Sequence, residues 1–405
     1  METRELWGHE VDCSGCGACA ARCPKGAICL DQKEDGFVFP EVDSSLCVDC
    51  GLCRKACGYQ NQLAQKSEGP WFAAAYQGDC SKSASAGAFF AIARNVVQNG
   101  GVVFGAATIR DDDGLHVRHI ATNSLDELNL LRGSKYVQSD AIRCFPDVSQ
   151  QLNAGRVVLF SGTPCQVAGL RGYLGRDFPN LITADLICHG VPSEAMLRGY
   201  LEFKGSQYGR QVVDAQFRCK KNGWPGSLLL DLKYADGVHE YIPAENSSYY
   251  DLFLRLKSLR ASCYSCPFAG ELRPGDFTMG DFWGVERNCP EVLDQIGFDI
   301  DRGISCLLVN SAKGREALKQ YGEGLTLYDV SFEDIAKGNE QLRHPSTLAD
   351  DRALYLDAFC RGGWDAVERL WKHRERGFIY QFRKVIWLMV PQWLLDAVSK
   401  MRSKR

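Results

Sequence analysis

Two runs of cysteine announce the first chemistry in this amino-acid sequence. Cys13, Cys16, Cys19 and Cys23 form one run; Cys47, Cys50, Cys53 and Cys57 form the other. Each reads C-x2-C-x2-C-x3-C, the spacing by which thiolates of bacterial ferredoxins hold a [4Fe–4S] cube. Three cysteines two residues apart wrap three corners of one cube, and the fourth turns away to ligate the neighbouring one. The spacing therefore assigns Cys13, Cys16, Cys19 and Cys57 to one cluster, and Cys47, Cys50, Cys53 and Cys23 to a second. Structural zinc takes its ligands in pairs rather than in runs of four, and a disulfide framework belongs to secreted chains. Pro24 follows the first run, while Gly58 stands where a second proline often sits; that position shapes a turn and supplies no ligand.

The elements that must position these cysteines are bounded by length and composition. A chain of 405 residues suggests two or three domains rather than one small core. Its net charge of −3 provides no positive field to collect phosphates, so no nucleic-acid partner is expected. Nineteen cysteines without an apolar cleavable leader point to a reducing cytoplasm and metal ligation. Between the two runs, Ala27–Leu30 and Phe37–Phe39 read as a small hairpin around a polar turn. Residues 1–60 thus form a ferredoxin-like domain that depends on its clusters for stability. The polar stretch Gly58–Pro70 reads as a linker out of it.

From Trp71 the pattern alternates strand and helix. Trp71–Tyr76, Gly101–Thr108, Arg156–Phe160 and Leu181–Ile187 read as strands, with helices following Ser85 and over Thr163–Leu174. Val212–Phe217, Leu228–Tyr234 and Val238–Ile242 around an Asp236-Gly237 turn read as an antiparallel insertion. Ile304–Asn310 is a strand and Lys313–Tyr321 a helix. The fold class expected is mixed α/β: a small ferredoxin-like domain, then a larger α/β domain over residues 70–345 with an antiparallel insertion. No G-x-G-x-x-G and no G-x-x-x-x-G-K-[ST] is present, so a dinucleotide must be held another way.

A second set of cysteines is dispersed. Cys165 and Cys188 each follow a buried strand, where ligands of open α/β sheets bind. Cys263 and Cys266, a C-x2-C pair, could close a four-cysteine site with them. The alternatives are small buried hydrophobes and, for Cys165, a reactive thiol at a helix N-terminus. The remaining Cys29, Cys80, Cys144, Cys219, Cys289, Cys306 and Cys360 share no spacing and are expected to pack.

The motifs Gly162-Thr-Pro-Cys165-Gln, Cys188-His-Gly-Val-Pro, Cys263-x-x-Cys266-Pro and Gly275-Asp-Phe-Thr-x-Gly-Asp, in this order, resemble those of the coenzyme F420 hydrogenase/dehydrogenase beta-subunit family. The resemblance covers roughly residues 70–345 plus the N-terminal module. It implies a third [4Fe–4S] cluster on Cys165, Cys188, Cys263 and Cys266, beside a non-covalent FAD. It further implies that FAD lies against Ser85, Gly87, Lys135, Tyr136, Ser139, Thr163 and Pro164. The helix start at Ala86-Gly87 offers free N–H groups for a phosphate. His189 is a candidate proton donor in catalysis, with a structural histidine as the alternative.

Residues 346–405 read as a helical C-terminal region whose tail, residues 378–405, is aromatic and basic. Its charge-free run is too short for a bilayer, which takes about 20 apolar residues. A peripheral position on the cytoplasmic membrane face and docking on the protein itself are both open. The sequence thus describes a cytoplasmic iron–sulfur flavoprotein oxidoreductase. A ferredoxin-type donor or partner redox enzyme would deliver electrons toward a small-molecule substrate. The resemblance also admits a coenzyme F420-dependent enzyme, a non-catalytic electron-transfer beta subunit, and a role in surface-polysaccharide metabolism.

Overall fold

The computed structural model describes residues 3–6 and 9–376. The expected amphipathic tail at 378–405 lies outside the described residues.

The N-terminal module is a three-stranded antiparallel sheet of β1 (Thr3–Glu5), β2 (Ile28–Gln32) and β3 (Val38–Asp43), in the order β1-β3-β2. Two short helices, α1 (Ala18–Arg22) and α2 (Leu52–Lys55), run out of the cysteine loops. The hairpin expected between the two cysteine runs is therefore present, one to four residues longer at its outer ends. The expected linker is not one. It contains β4 (Gln65–Lys66), which pairs with a strand 200 residues on, and a buried Tyr59 whose hydroxyl donates to the Ser262 carbonyl at 3.0 Å. A polar composition was misleading here because these side chains are polar while the backbone is paired.

The main domain is built on an eight-stranded mixed sheet. In chain order its first half has β5 (Trp71–Tyr76), α3 (Ala88–Gln98), β6 (Val102–Asp111), β7 (Gly114–Thr122), α4 (Cys144–Asn153), β8 (Val158–Gly162), α5 (Pro164–Leu174), β9 (Leu181–Leu186) and α6 (Glu194–Tyr208). An antiparallel insertion of β10 (Val212–Gln216), β11 (Leu229–Tyr234) and β12 (His239–Pro243) follows, as the turn chemistry at Asp236-Gly237 predicts, and then α7 (Ser248–Leu254). The chain returns through β13 (Leu272–Arg273), the partner of β4, to β14 (Phe277–Asp281), α8 (Val285–Asn288), β15 (Ser305–Val309), α9 (Ala312–Tyr321), β16 (Leu325–Asp329) and α10 (Phe332–Gly338). The helical span α11 (Arg352–Glu375), broken at Gly362 and Gly363, ends the described chain.

The sheet order is β16-β5-β15-β14-β9-β8-β6-β7. Its four central strands, β14, β9, β8 and β6, run parallel, and antiparallel strands cover both flanks. Side chains alternate between faces as the pleat requires. Val103 and Leu159 pack with α3 and α9, while Val102, Phe104, Val158 and Phe160 pack with α4 and α5. The central strands read as continuous apolar runs because both faces are covered. Strands β7 and β16 escape such a reading. β7 carries His116, Arg118 and His119, and β16 is an edge strand that is only half buried.

The parallel centre has one consequence for function. The carboxyl ends of β8, β9 and β14 open on the same edge of the sheet, and the segments leaving them carry Thr163 and Cys165, Cys188 and His189, and Asp281 and Trp283. The remaining cysteines divide. Cys80, Cys144, Cys289 and Cys306 are buried packing residues, but Cys29 and Cys360 are exposed and Cys219 is half-buried. Among the described residues no helix is long and apolar enough to cross a membrane.

Candidate functional site

Helix α5 is the element that joins the N-terminal cysteines to the sheet. Thr163 caps it in a box with Gln166, and Pro164 occupies its first turn, which fixes the start of the helix and hence Cys165. The ferredoxin-like module lies on its flank through glycines. A Cβ at Gly169 would come 2.8 Å from Cys16 Sγ, and one at Gly58 would come 2.0 Å from the Ala168 carbonyl oxygen. This is why Gly58 replaces a proline at the end of the second cysteine run: the backbones touch there.

Cys13, Cys19 and Cys57 are buried and Cys16 is nearly so. Burial pushes the Cys16 thiol up to about 11 and Cys57 up to about 12, and moves Cys19 upward as well; neighbouring sulfurs of the same four add to each shift. Four thiolates so close repel one another unless a cationic iron cluster binds them, when a coordinating thiol gives up its proton outright. Amide donors face the sulfurs, from Gly15 to Cys13 at 3.3 Å and from Gln60 to Cys57 at 3.5 Å. In the second quartet, Cys53 is raised by burial and then by Cys23 and Cys50. Cys47 packs with Cys23 and Cys53 around Ile28 and Val42, and Cys50 is exposed.

The dispersed cysteines come together. Burial raises Cys165 to about 11, followed by the charge of Cys266. It raises Cys263 to about 12, with Cys165 and Cys266 adding to it, and it raises Cys188 strongly, with Cys263, Cys165 and Cys266 behind. Cys266 is likewise raised by burial. A thiol raised in this way is the opposite of an activated nucleophile, so the reactive-thiol alternative for Cys165 falls. Cys165 Sγ also meets Thr163 Oγ1 at 3.2 Å. The Cys16 thiol feels Cys165 before it feels Cys13, which makes the first and third quartets neighbours. Among the described residues no three metal-ligating side chains converge as one ion would need; a cube instead offers each thiolate its own iron.

Next to Cys188 a cleft of about 490 Å³ opens at the strand ends, within the range of cofactor sites. Ser85, Gly87, Lys135, Tyr136, Ser139, Thr163 and His189 all line it; Pro164 does not, because it is turned into the helix core. Gly87 caps α3 with a positive φ of 83°, so the first N–H groups of that helix border the cleft. The Ser85 hydroxyl donates to the Ile304 carbonyl at 2.7 Å. The Lys135 ammonium donates to the carbonyls of Arg132 (2.7 Å) and Leu130 (3.0 Å), and burial pushes its pKa down to about 7. The Tyr136 ring stacks on Phe253 with centroids 4.4 Å apart. Ser139 receives the Gln166 amide at 3.0 Å. Burial lowers the pKa of His189, and Asp281 and Glu340 only partly oppose it. Its imidazole is therefore neutral near pH 7 and can donate a hydrogen bond without being an imidazolium.

Several residues of the cleft carry no signal in the sequence. Arg218, at a positive φ of 61°, reaches Asp281 with both terminal nitrogens at 3.0 and 3.3 Å and lies over the Trp283 ring at 4.6 Å. Trp224 donates to the same carboxylate at 2.7 Å and stacks on Trp283. His119 is buried, with its pKa down to about 4. Its Nε2 donates to the Ser161 carbonyl at 2.9 Å, so its Nδ1 accepts from Ser139 at 3.1 Å. Only Asp281 and Trp283 stood in a motif.

Comparison with known proteins bears on both halves. Residues 155–331 match the family described as the C terminus of the coenzyme F420 hydrogenase/dehydrogenase beta subunit, and residues 12–61 match the 4Fe-4S dicluster domain. Iron–sulfur chemistry and the resemblance drawn from the motifs thus stand. A stretch of 71 residues is 34% identical to an iron-sulfur subunit of the CoB–CoM heterodisulfide reductase from Methanocaldococcus jannaschii, covering 14% of this chain. The chain spans about a tenth (11%) of the length of that relative. A chain of the F420-reducing [NiFe] hydrogenase complex from Methanosarcina barkeri superposes with a TM-score of 0.46 at 16% identity, over 77% of this chain and 94% of the other.

Proposed function

We propose that this chain, which belongs over residues 155–331 to the coenzyme F420 hydrogenase/dehydrogenase beta-subunit family and carries a 4Fe–4S dicluster domain at residues 12–61, is an iron–sulfur flavoprotein oxidoreductase. It passes electrons between a ferredoxin-type donor and a small organic substrate. The observation that carries this reading is the order of the three cysteine quartets. The quartet of Cys23, Cys47, Cys50 and Cys53 reaches the surface at Cys50; that of Cys13, Cys16, Cys19 and Cys57 packs on α5; that of Cys165, Cys188, Cys263 and Cys266 shares Cys188 with the cleft. When bound, the clusters supply one-electron steps, and FAD couples these to hydride chemistry.

This chain's own residues would do the rest. The α3 N-terminus at Gly87 and the Thr163 turn would receive the polar part of FAD. Tyr136, backed by Phe253, and Trp283, backed by Trp224, would present flat apolar walls. Arg218 and Asp281 would hold one polar corner, and His189 would offer a neutral N–H beside the reacting atoms. The second reading, an electron-transfer subunit of a larger redox complex, is favoured by the matched family being one of beta subunits. Anaerobically purified protein should contain on the order of twelve irons per chain and one flavin. Cys165→Ser and Cys266→Ser should each lose about a third of that iron. Eight irons in the wild type, unchanged in both variants, would remove the third cluster.

A further inference from the structure

Three arginines are fully buried: Arg218, Arg260 and Arg273. Two have carboxylate partners, Asp281 for Arg218 and Asp185 for Arg273. Arg260, 1% exposed, has none among the described residues. Its Nε donates to the Cys13 carbonyl at 2.8 Å, one terminal nitrogen to the Val38 carbonyl at 2.7 Å, and the other to Gln138 Oε1 at 3.2 Å. Phe39 lies under its guanidinium at 4.2 Å. These acceptors are neutral, and an unpaired buried charge is among the most expensive features a fold can hold.

The position of Arg260 supplies the missing counter-charge. It binds the backbone of Cys13 in the first quartet, and its own carbonyl accepts from the Cys263 amide at 3.0 Å in the third. Gln138, its side-chain partner, also donates to the Ser14 and Gly15 carbonyls at 3.0 and 3.1 Å, so the two side chains tie the first cysteine loop to the main domain. A cube held by four thiolates is a dianion, and a trianion after accepting one electron. We infer that Arg260 is a positioning residue whose charge is balanced by the two inner iron–sulfur clusters and which raises the reduction potential of both. It rests on the cluster assignment above. The added electron is met by a fixed positive charge that is already in place, so the reduced forms of the inner pair are favoured over that of the outer cluster, and electrons run inward from Cys50.

The test is an anaerobic redox titration followed by electron paramagnetic resonance on the full chain, with iron counted in every sample. Arg260→Gln should keep its iron, yet lower the reduced-to-oxidised ratio of the inner clusters about tenfold or more at a fixed potential; tenfold is 59 mV for a one-electron couple. Arg260→Lys should stay near wild type, and the outer cluster should be unmoved in both. Gln138→Glu places a carboxylate on the guanidinium and should lower the same two potentials even if Arg260→Gln loses iron. Unchanged potentials in Gln138→Glu, or equal shifts in the Lys and Gln variants, would overturn the inference. A wild type without these clusters would instead overturn the cluster assignment.

Discussion

Replacing Gly58 with alanine sets a methyl group against backbone on both sides, at 2.0 Å from the Ala168 carbonyl oxygen and 2.9 Å from the Gly169 nitrogen. Ordinary contact begins near 3.4 Å, so the module and α5 must part by about 1.4 Å. No side chain can rotate away to absorb this. Overpacking of well-packed sites costs about 1–3 kcal/mol, and a clash between two main chains belongs at the upper end. The displacement falls on Cys57, one residue before, and on Cys16, which faces Gly169. Gly58→Ala should therefore lose iron from the quartet of Cys13, Cys16, Cys19 and Cys57, and slow passage of electrons to the cleft. Gly26→Ala is the comparison. It lies in the loop after Cys23 at a φ of 59°, with nothing within 4 Å of an added Cβ, so it should cost only about 1 kcal/mol of backbone strain. Iron content and flavin reduction rate are the readouts. Wild-type iron and rate in Gly58→Ala would refute the claim that this contact sets the spacing.

Two further outcomes follow from the cleft. Arg218→Met leaves Asp281 buried without its partner and should cost about 3–5 kcal/mol with loss of flavin, while Arg218→Met/Asp281→Asn should recover most of it; equal losses in single and double variants would deny the pairing. His119 titrates near 4 in the folded chain against about 6.5 unfolded, so the unfolded chain binds its proton first; stability is full above pH 6.5 and falls by about 3 kcal/mol as pH drops toward 4. Urea denaturation across that window should show His119→Gln losing this part of the slope, and an unaltered slope would show that another group carries it.

What could be read from the sequence was local. The N-terminal quartets are spaced by the geometry of their own loops, and the central strands are apolar because both faces are covered, so each announces itself within a few residues. The third quartet needed four separate motifs, since three different elements bring Cys165, Cys188, Cys263 and Cys266 together. Contacts between distant, ordinary-looking residues left no mark. Arg218 stands 63 residues from Asp281, and Arg260 is 247 from Cys13. Neither lies in a periodic pattern or a motif; only tertiary packing makes one a cleft residue and the other an unpaired buried cation. His119 was hidden for a related reason, because β7 is polar enough to read as a loop until its pairing with β6 is known.

The surface around Cys50 decides which donor suits the chain. Cys50 is exposed, and beside it Leu46 is 49% and Val48 59% exposed, an apolar spot directly over a cluster ligand. Arg22 and Lys25 flank Cys23, and Arg54 and Lys55 follow Cys53; Lys25, Arg54 and Lys55 are exposed and Arg22 half-buried, against the exposed acid Asp49 in the same loops. A basic rim around an apolar centre suits an acidic one-electron carrier, which it would steer from a distance and hold by desolvated contact. A hydride donor has no use for this surface, and the chain lacks the glycine-rich turn that commonly holds a nicotinamide dinucleotide. Reduced ferredoxin should thus bleach the bound flavin rapidly in stopped flow, and NADH and NADPH poorly. The rate should fall with added salt, because the Debye length shrinks from about 10 Å at 0.1 M to about 3 Å at 1 M. Lys25→Glu/Lys55→Glu should lower the rate at low salt and converge on wild type at high salt. Cys16→Ala/Cys50→Ala should abolish it. Coenzyme F420 is the rival, able to deliver a hydride at the cleft and send electrons outward. Fast bleaching by NADPH or reduced F420 that survives loss of both N-terminal clusters, with ferredoxin reduction indifferent to salt, would reverse the direction of flow argued from Cys50.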